Sequence, residues 1–356
     1  MKNQILTRAE CNALRGIAIL GIVLHNYSHW LRGIVRENEY QFFQKNVEGL
    51  QYALGNPDMN LPLHLLSFFG HYGVPIFLFL SAYGLVLKYE ATPELMSERA
   101  RLKGAWPFIR THFLKLFKMM FAGFVAFTMV DMMTPKSHHY EFMDIISLLG
   151  MFNNVLEEPN EIIWPGTFWF FGLMLQLYIV YRLLLYRRHW GWIVGAMVVC
   201  TAIQLCCGPE SEELNRVRYN FIGGMLPFGM GLLYSRYVQL PPSKLYHVLT
   251  VLFVAGMIYT FSMDYLTWYL VPVLVIVFAI SLVKILPAVV NGWLEWVGSI
   301  SAAMFVCHPI ARKIFIPVSY RGDVYTGFLQ YILASFALAW VFNELLKKTN
   351  SRVSKK

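Results

Sequence analysis

Residues 64–87 read HLLSFFGHYGVPIFLFLSAYGLVL, a run with no Asp, Glu, Lys or Arg from His64 to Leu87. A helix on the surface of a soluble domain keeps a polar face. This run is apolar on every face and exceeds the ~20 residues that cross a bilayer. It predicts a membrane-spanning helix. Working outward, similar runs extend from about Asn12 to Trp30, His112 to Met132, Phe168 to Tyr186 and Trp190 to Cys207. Others run from Tyr219 to Tyr234, Tyr246 to Phe261, Tyr265 to Val283, Trp293 to Ala311 and Tyr325 to Leu345. Backbone polar groups in lipid must be satisfied within the segment, which favours helices. The prediction is an all-α, polytopic integral membrane bundle of about ten transmembrane helices.

Composition agrees. Hydrophobic residues make up 57% of the 356 and charged residues 14%, against about 25% charged in soluble domains. Mean hydropathy is +0.48. Aromatics reach 16%, which suits belts at the headgroup level. The net charge of +9 does not indicate nucleic acid, because the basic residues lie in short inter-span loops. Lys2 and Arg8 precede the first span. Lys88, Arg99, Arg101, Lys103 and Arg110 lie between the second and third, and Arg187 and Arg188 follow the fourth. Arg236, Lys244 and Lys284 follow later spans, and Lys347, Lys348, Arg352, Lys355 and Lys356 end the chain. Ten spans put all of these on one side, so both termini are expected in the cytoplasm. Acidic stretches such as Glu157–Glu158 and Glu210–Glu213 fall on the other side. The first apolar run lacks a small-residue cleavage site and reads as a retained signal anchor. Residues 142–156 are apolar but too short to cross, and are expected to lie at the interface. Residues 1–348 are expected to form one integral domain, and residues 349–356 a short, basic, disordered cytoplasmic tail. Five cysteines in or beside apolar runs, without ligand spacing, read as packing residues.

Ionisable groups inside spans are costly and mark function. The first span holds Arg15 near its inner end and His25 deeper, followed by Asn26 and His29. Arg15 suits an anionic group arriving from the cytoplasm. His25 suits general-base work near neutral pH. The plainer alternative is a snorkelling Arg and a hydrogen-bonded core His. His25 and His29, at i and i+4, have metal-ligand spacing, yet no third ligand is evident nearby, so no metal is expected.

The run Leu14-Arg15-Gly16-Ile17-Ala18 followed by His25 resembles the first span of the acyltransferase-3 family of membrane acyltransferases. Gly73-Val74-Pro75 through Ser81-Ala82-Tyr83 resembles that family's second-span motif, and Arg110 to Lys115 its basic stretch before the third span. Phe168-Trp169 with Gln176 and Tyr178, Gly223-Gly224-Met225 with Gly229-Met230, and Gly298-Ser299-Ile300-Ser301 through His308-Pro309 resemble further motifs in order. The resemblance implies acyl transfer, usually from acetyl-CoA, to a hydroxyl of a sugar or other envelope acceptor. It maps the family's essential pair to Arg15 and His25.

Two departures stand out. Nine residues separate Arg15 from His25, where ten are common in the family. Ten steps along a helix end about 80° off the starting face; a π-bulge or kink near Gly21 would restore the face, or His29 would share the role. Met174 stands where many sugar O-acetyltransferases of the family carry a Glu.

Within this reading Arg15 positions the donor and His25 is the base. Arg110 and Lys115 hold phosphates of acetyl-CoA or another acyl-CoA, which serves as co-substrate with no permanently bound cofactor. Trp169, Ser81, His29 and His308 are candidates for contacting the acceptor or supporting the site. Besides the donor, the expected partners are a carbohydrate or lipid-linked acceptor and membrane lipids, with no nucleic acid, at the inner (plasma) membrane. The rival reading is a transporter or flippase of an envelope precursor without acyl-transfer chemistry.

Overall fold

The computed structural model describes residues 6–90, 104–239 and 243–353. Lys2, Arg99, Arg101, Lys103, Lys355 and Lys356, named above for topology, lie outside the described residues. The described chain is helical throughout, with no strand. The longer helices are α1 (Arg8–Ser28), α2 (Gln44–Gly55), α3 (Leu61–Phe69), α4 (Gly73–Tyr89), α5 (Ala105–Met133), α6 (Phe142–Leu149), α7 (Trp169–Val180) and α8 (Trp190–Leu205). They continue with α9 (Glu212–Arg218), α10 (Phe221–Tyr237), α11 (Lys244–Phe261), α12 (Val271–Ile285), α13 (Ala288–Ser299), α14 (Ser301–Tyr320) and α15 (Val324–Val353).

Six helical stretches are long and apolar enough to span a bilayer: Leu61–Tyr89, Ala105–Met133, Gly166–Leu185, Lys244–Phe261, Ser301–Tyr320 and Val324–Leu345. The other expected spans fall on α1, whose first half is charged, and on α8, α10 and α12, which are shorter. The chain is a multi-pass membrane protein. Large apolar side chains such as Val198, Leu249, Leu252, Phe253, Leu329 and Leu333 point outward, which lipid accommodates and water would not.

Three expectations change. The run Trp293–Ala311 is not one span: α13 ends at Ser299, the backbone turns at Ile300, and the long helix runs Ser301–Tyr320. The residues assigned to a disordered tail continue α15 as far as Val353. α1 is an unbroken α-helix from Arg8 to Ser28, with no π-turn at Gly21. Its start is fixed by a capping box in which Thr7 and Glu10 satisfy each other's backbone N–H groups.

α1 sits at the centre and is approached closely from two sides. A Cβ on Gly298 would fall against the Asn12 carbonyl, and one on Gly16 against the Leu294 carbonyl. On the other side Gly73 meets the Ala18 carbonyl, and Gly70 the Gly21 carbonyl and His25. Small residues let these backbones approach, as in other membrane bundles.

Polar ties knit each end of the bundle. At one end Lys284 pairs with Glu10 at 2.7 Å, Arg236 with Glu90 at 2.8 Å, and Tyr186 donates to the Tyr89 carbonyl. Most of the basic loops named above meet here, and we call it the basic end. At the other end, Trp268 donates to the Asn38 carbonyl, Gln41 to the Glu210 carbonyl, and Asn154 to the Tyr219 carbonyl. Lys313 on α14 and the fully buried Asp131 on α5 form an ion pair of 2.7 Å near this second end.

Candidate active site

A cavity of about 570 Å³ opens at the second end. Its floor is the last turn of α1, with His25, Asn26 and His29. The segment after α1 supplies Glu37, Glu39, Tyr40 and Gln41, and the turn before α4 supplies His71. Trp164, Thr167 and Trp169 come from the approach to α7, and Arg312 from α14.

His25 is 2% exposed. Its Nδ1 lies 2.8 Å from the Ser67 carbonyl, which can only accept, so Nδ1 carries the proton. That leaves the lone pair on Nε2, which lies 4.0 Å from Glu37 Oε1 and 4.0 Å from Glu39 Oε2. His29, one turn on, hydrogen-bonds Glu37 through Nδ1 at 3.0 Å, and its ring stacks edge-on against His25 at 4.6 Å. The His71 ring lies 5.7 Å from His25 on the other side.

The two carboxylates behave oppositely. Burial pushes Glu37 up, but His29 and His25 beside it outweigh that and hold it well below the usual carboxylate range. Burial and then the Glu37 charge push Glu39 up to about 8, with Arg218 pulling it back.

Arg312 is 7% exposed. It donates to Asn26 Oδ1 at 2.7 Å and lies over the Trp30 ring. His308, one turn earlier on α14, is fully buried, with Nδ1 against the Met304 carbonyl. It packs below the cavity and does not cap a helix end. Trp169 lines the cavity with its ring edge-on to the stacked pair of Tyr40 and Tyr219.

Arg15 and His25 are not brought together. Ten residues at about 1.5 Å each put them ~15 Å apart along one straight helix. Arg15 lies toward the basic end, donating to Asn12 Oδ1 at 2.8 Å. Ser81 also belongs there, bonded to the Tyr178 hydroxyl at 3.0 Å. The His112 ring lies tilted against Tyr178 at 4.3 Å, and Tyr89 bonds His112. Arg110 and Lys115 flank His112 on α5, both exposed. Of the first-span pair, His25 lines the cavity and Arg15 does not. A second cavity of about 50 Å³ adjoins the first through Glu39, Tyr40, His71, Val74 and Trp169 and reaches Leu78 and Leu173, about one helical turn from Ser81 and Tyr178.

Glu37, Glu39, His71 and Arg312 were not among the residues singled out from the sequence. Arg312 carried a usable signal, since it follows His308 by one helical turn. The two glutamates sit outside any span, where acidic residues are ordinary. Glu37 also supplies the third ligand-type atom that the His25–His29 pair lacked. His25, His29 and Glu37 offer one ligand atom each within 4.8 Å of one another.

A buried imidazole with a fixed tautomer and an open lone pair, inside a multi-pass bundle, can take up or give up a proton at the cavity. The sequence model of the acyltransferase-3 family, described as an acyltransferase domain, matches residues 8–344. The chain belongs to that family and is a membrane acyltransferase. No curated protein and no solved structure gave a significant match.

Proposed function

We propose that this protein moves an acyl group, acetyl in the first instance, from acyl-CoA to a hydroxyl of an envelope glycan or lipid-linked sugar, and that it resides in the inner membrane with the basic end in the cytoplasm. The observation that carries the reading is the His25 imidazole, protonated at Nδ1 by its bond to the Ser67 carbonyl and open at Nε2 toward the cavity. Held this way it can take a proton from an acceptor hydroxyl. The resulting alkoxide attacks the thioester carbonyl, and CoA leaves as the thiolate or, after taking the proton from His25, as the thiol. Arg312 beside Asn26 offers a cation for the oxyanion of the tetrahedral intermediate.

The ~15 Å along α1 between Arg15 and His25 gives each substrate a side. Arg15, Arg110 and Lys115 suit the anionic end of acyl-CoA. Trp30, Trp164 and Trp169 with Asn46, Asn160 and Gln41 suit a sugar, whose C–H faces rest on rings and whose hydroxyls bond amides.

The test uses purified protein with labelled acetyl-CoA and extracted envelope glycans. Wild type should release CoA and label the glycan. His25→Ala should lower turnover by about 10² to 10⁴. Unchanged turnover in that variant sinks the mechanism. Arg15→Ala should raise the KM for acetyl-CoA, and an unaltered KM removes its donor role.

A further inference from the structure

The wall of the cavity around His25 holds more than a base needs. His25 and His29 project from one face of α1 at i and i+4, the arrangement by which a helix presents two imidazoles to one metal. Glu37 Oε1 lies 3.0 Å from His29 Nδ1 and 4.0 Å from His25 Nε2. We propose that His25, His29 and Glu37 form a site for a divalent transition metal, zinc by ligand type, and that its occupancy switches acyl transfer off. The second half rests on the reading of His25 as the base.

Four observations support the site. First, the His25 Nδ1–H bond to the Ser67 carbonyl is the outer-shell contact that orients a ligating histidine, and it leaves Nε2 for the metal. Second, the His29–Glu37 hydrogen bond leaves Glu37 Oε2 buried without a partner. Bidentate coordination would engage that oxygen. Third, Glu39 brings a second carboxyl oxygen to 4.0 Å from His25 Nε2, close enough to join the metal directly or through water. A dication answers the cost of carboxylates buried beside imidazoles. Fourth, ligand atoms on a tetrahedral zinc at about 2.0 to 2.1 Å lie ~3.3 Å from one another. The described atoms lie within 4.8 Å of one another, so small side-chain rotations close the shell. Two imidazoles and a carboxylate select zinc, copper or nickel over magnesium or calcium.

The switch follows from counting lone pairs. Nε2 has one. A metal that takes it leaves no acceptor for the proton of the sugar hydroxyl.

The experiment uses the full-length protein in detergent, stripped with a chelator and titrated with Co²⁺. A visible d–d absorption band should saturate at one equivalent, be displaced by Zn²⁺ and resist Mg²⁺. His29→Ala and Glu37→Gln should each lose the band. His29→Cys, which replaces one ligand by another, should keep binding and add a thiolate charge-transfer band. No band in the wild type, or an undiminished band in both Ala and Gln variants, overturns the site. In parallel, one equivalent of Zn²⁺ should cut CoA release by about 100-fold or more, with recovery on chelation. Turnover that is unchanged or raised by zinc overturns the switch. If the stripped protein never releases CoA, the functional reading fails, and the cobalt band still decides the site.

Discussion

Asn26 follows His25 in sequence yet turns its side chain to Arg312, so one helical turn holds both the proposed base and the anchor of the proposed oxyanion cation. Lysine at 312 would keep the charge but lose the planar fork that grips Asn26. Arg312→Lys should lower kcat by about 10² to 10³ with little change in the KM for acetyl-CoA. Steady-state kinetics on the purified variant check this, and an unchanged kcat removes Arg312 from the chemistry. Arg15 and His25 were legible in the sequence because charge inside an apolar run needs a reason. Their separation by ~15 Å follows from ten helical steps, and an unbroken α1 with Arg15 bonded back to Asn12 agrees with it. The glutamates escaped notice for the opposite reason. Glu37 and Glu39 lie in an outer segment whose fold back over α1 depends on contacts such as Trp268 with Asn38, which no local pattern announces.

At the scale of elements, α1 is gripped through glycine. Gly298→Ala would push a methyl group into the Asn12 carbonyl and should cost about 1 to 3 kcal/mol. Gly195→Ala in α8, where the added carbon meets nothing within 4 Å, should be neutral or gain up to about 1 kcal/mol. Thermal unfolding of the two variants in the same detergent compares them, and equal stabilities would contradict the close approach of α13 to α1. The ion pair between α5 and α14 behaves differently. Asp131→Ala strands the Lys313 ammonium, and breaking a buried pair from one side costs about 3 to 5 kcal/mol. Asp131 Oδ2 also accepts from the His138 backbone N–H and the Tyr140 hydroxyl, so Asp131→Leu with Lys313→Met should recover only the share owed to the ion pair, and a double variant no better than the single would show that the pair carries little. Apolar length made the helices legible, but not the break at Ile300. Val297 to Val306 holds no charged residue, so hydropathy runs through the turn, and packing against α1 decides where α13 stops.

For the whole molecule, most of the basic inter-span loops lie at one end, and the cavity, lined in part by Arg36, Lys45 and Arg312, opens at the other. In a cell, a variant keeping Cys206 as its single cysteine should react with a membrane-impermeant maleimide, because Cys206 is exposed at the cavity end of α8. Ser243→Cys, exposed before α11 at the basic end, should react only after permeabilisation. The reverse pattern would invert the topology. The segregation was readable from Lys and Arg positions, whereas the cavity is assembled from segments far apart in the chain and could only be seen folded. Between the cavities and the Ser81–Tyr178 pair stand Leu78, Leu173 and Leu177, all at most 2% exposed. If an acyl arm is to pass these leucines, they must part for it and close behind it. A proton crossing a membrane gains about 2.3 kcal/mol per 100 mV, so a passage left ajar would drain the cell's ion gradient. These three side chains would then be the seal of an enzyme that works through the wall it sits in, and shortening them should cost the cell its membrane potential before it costs the enzyme its chemistry.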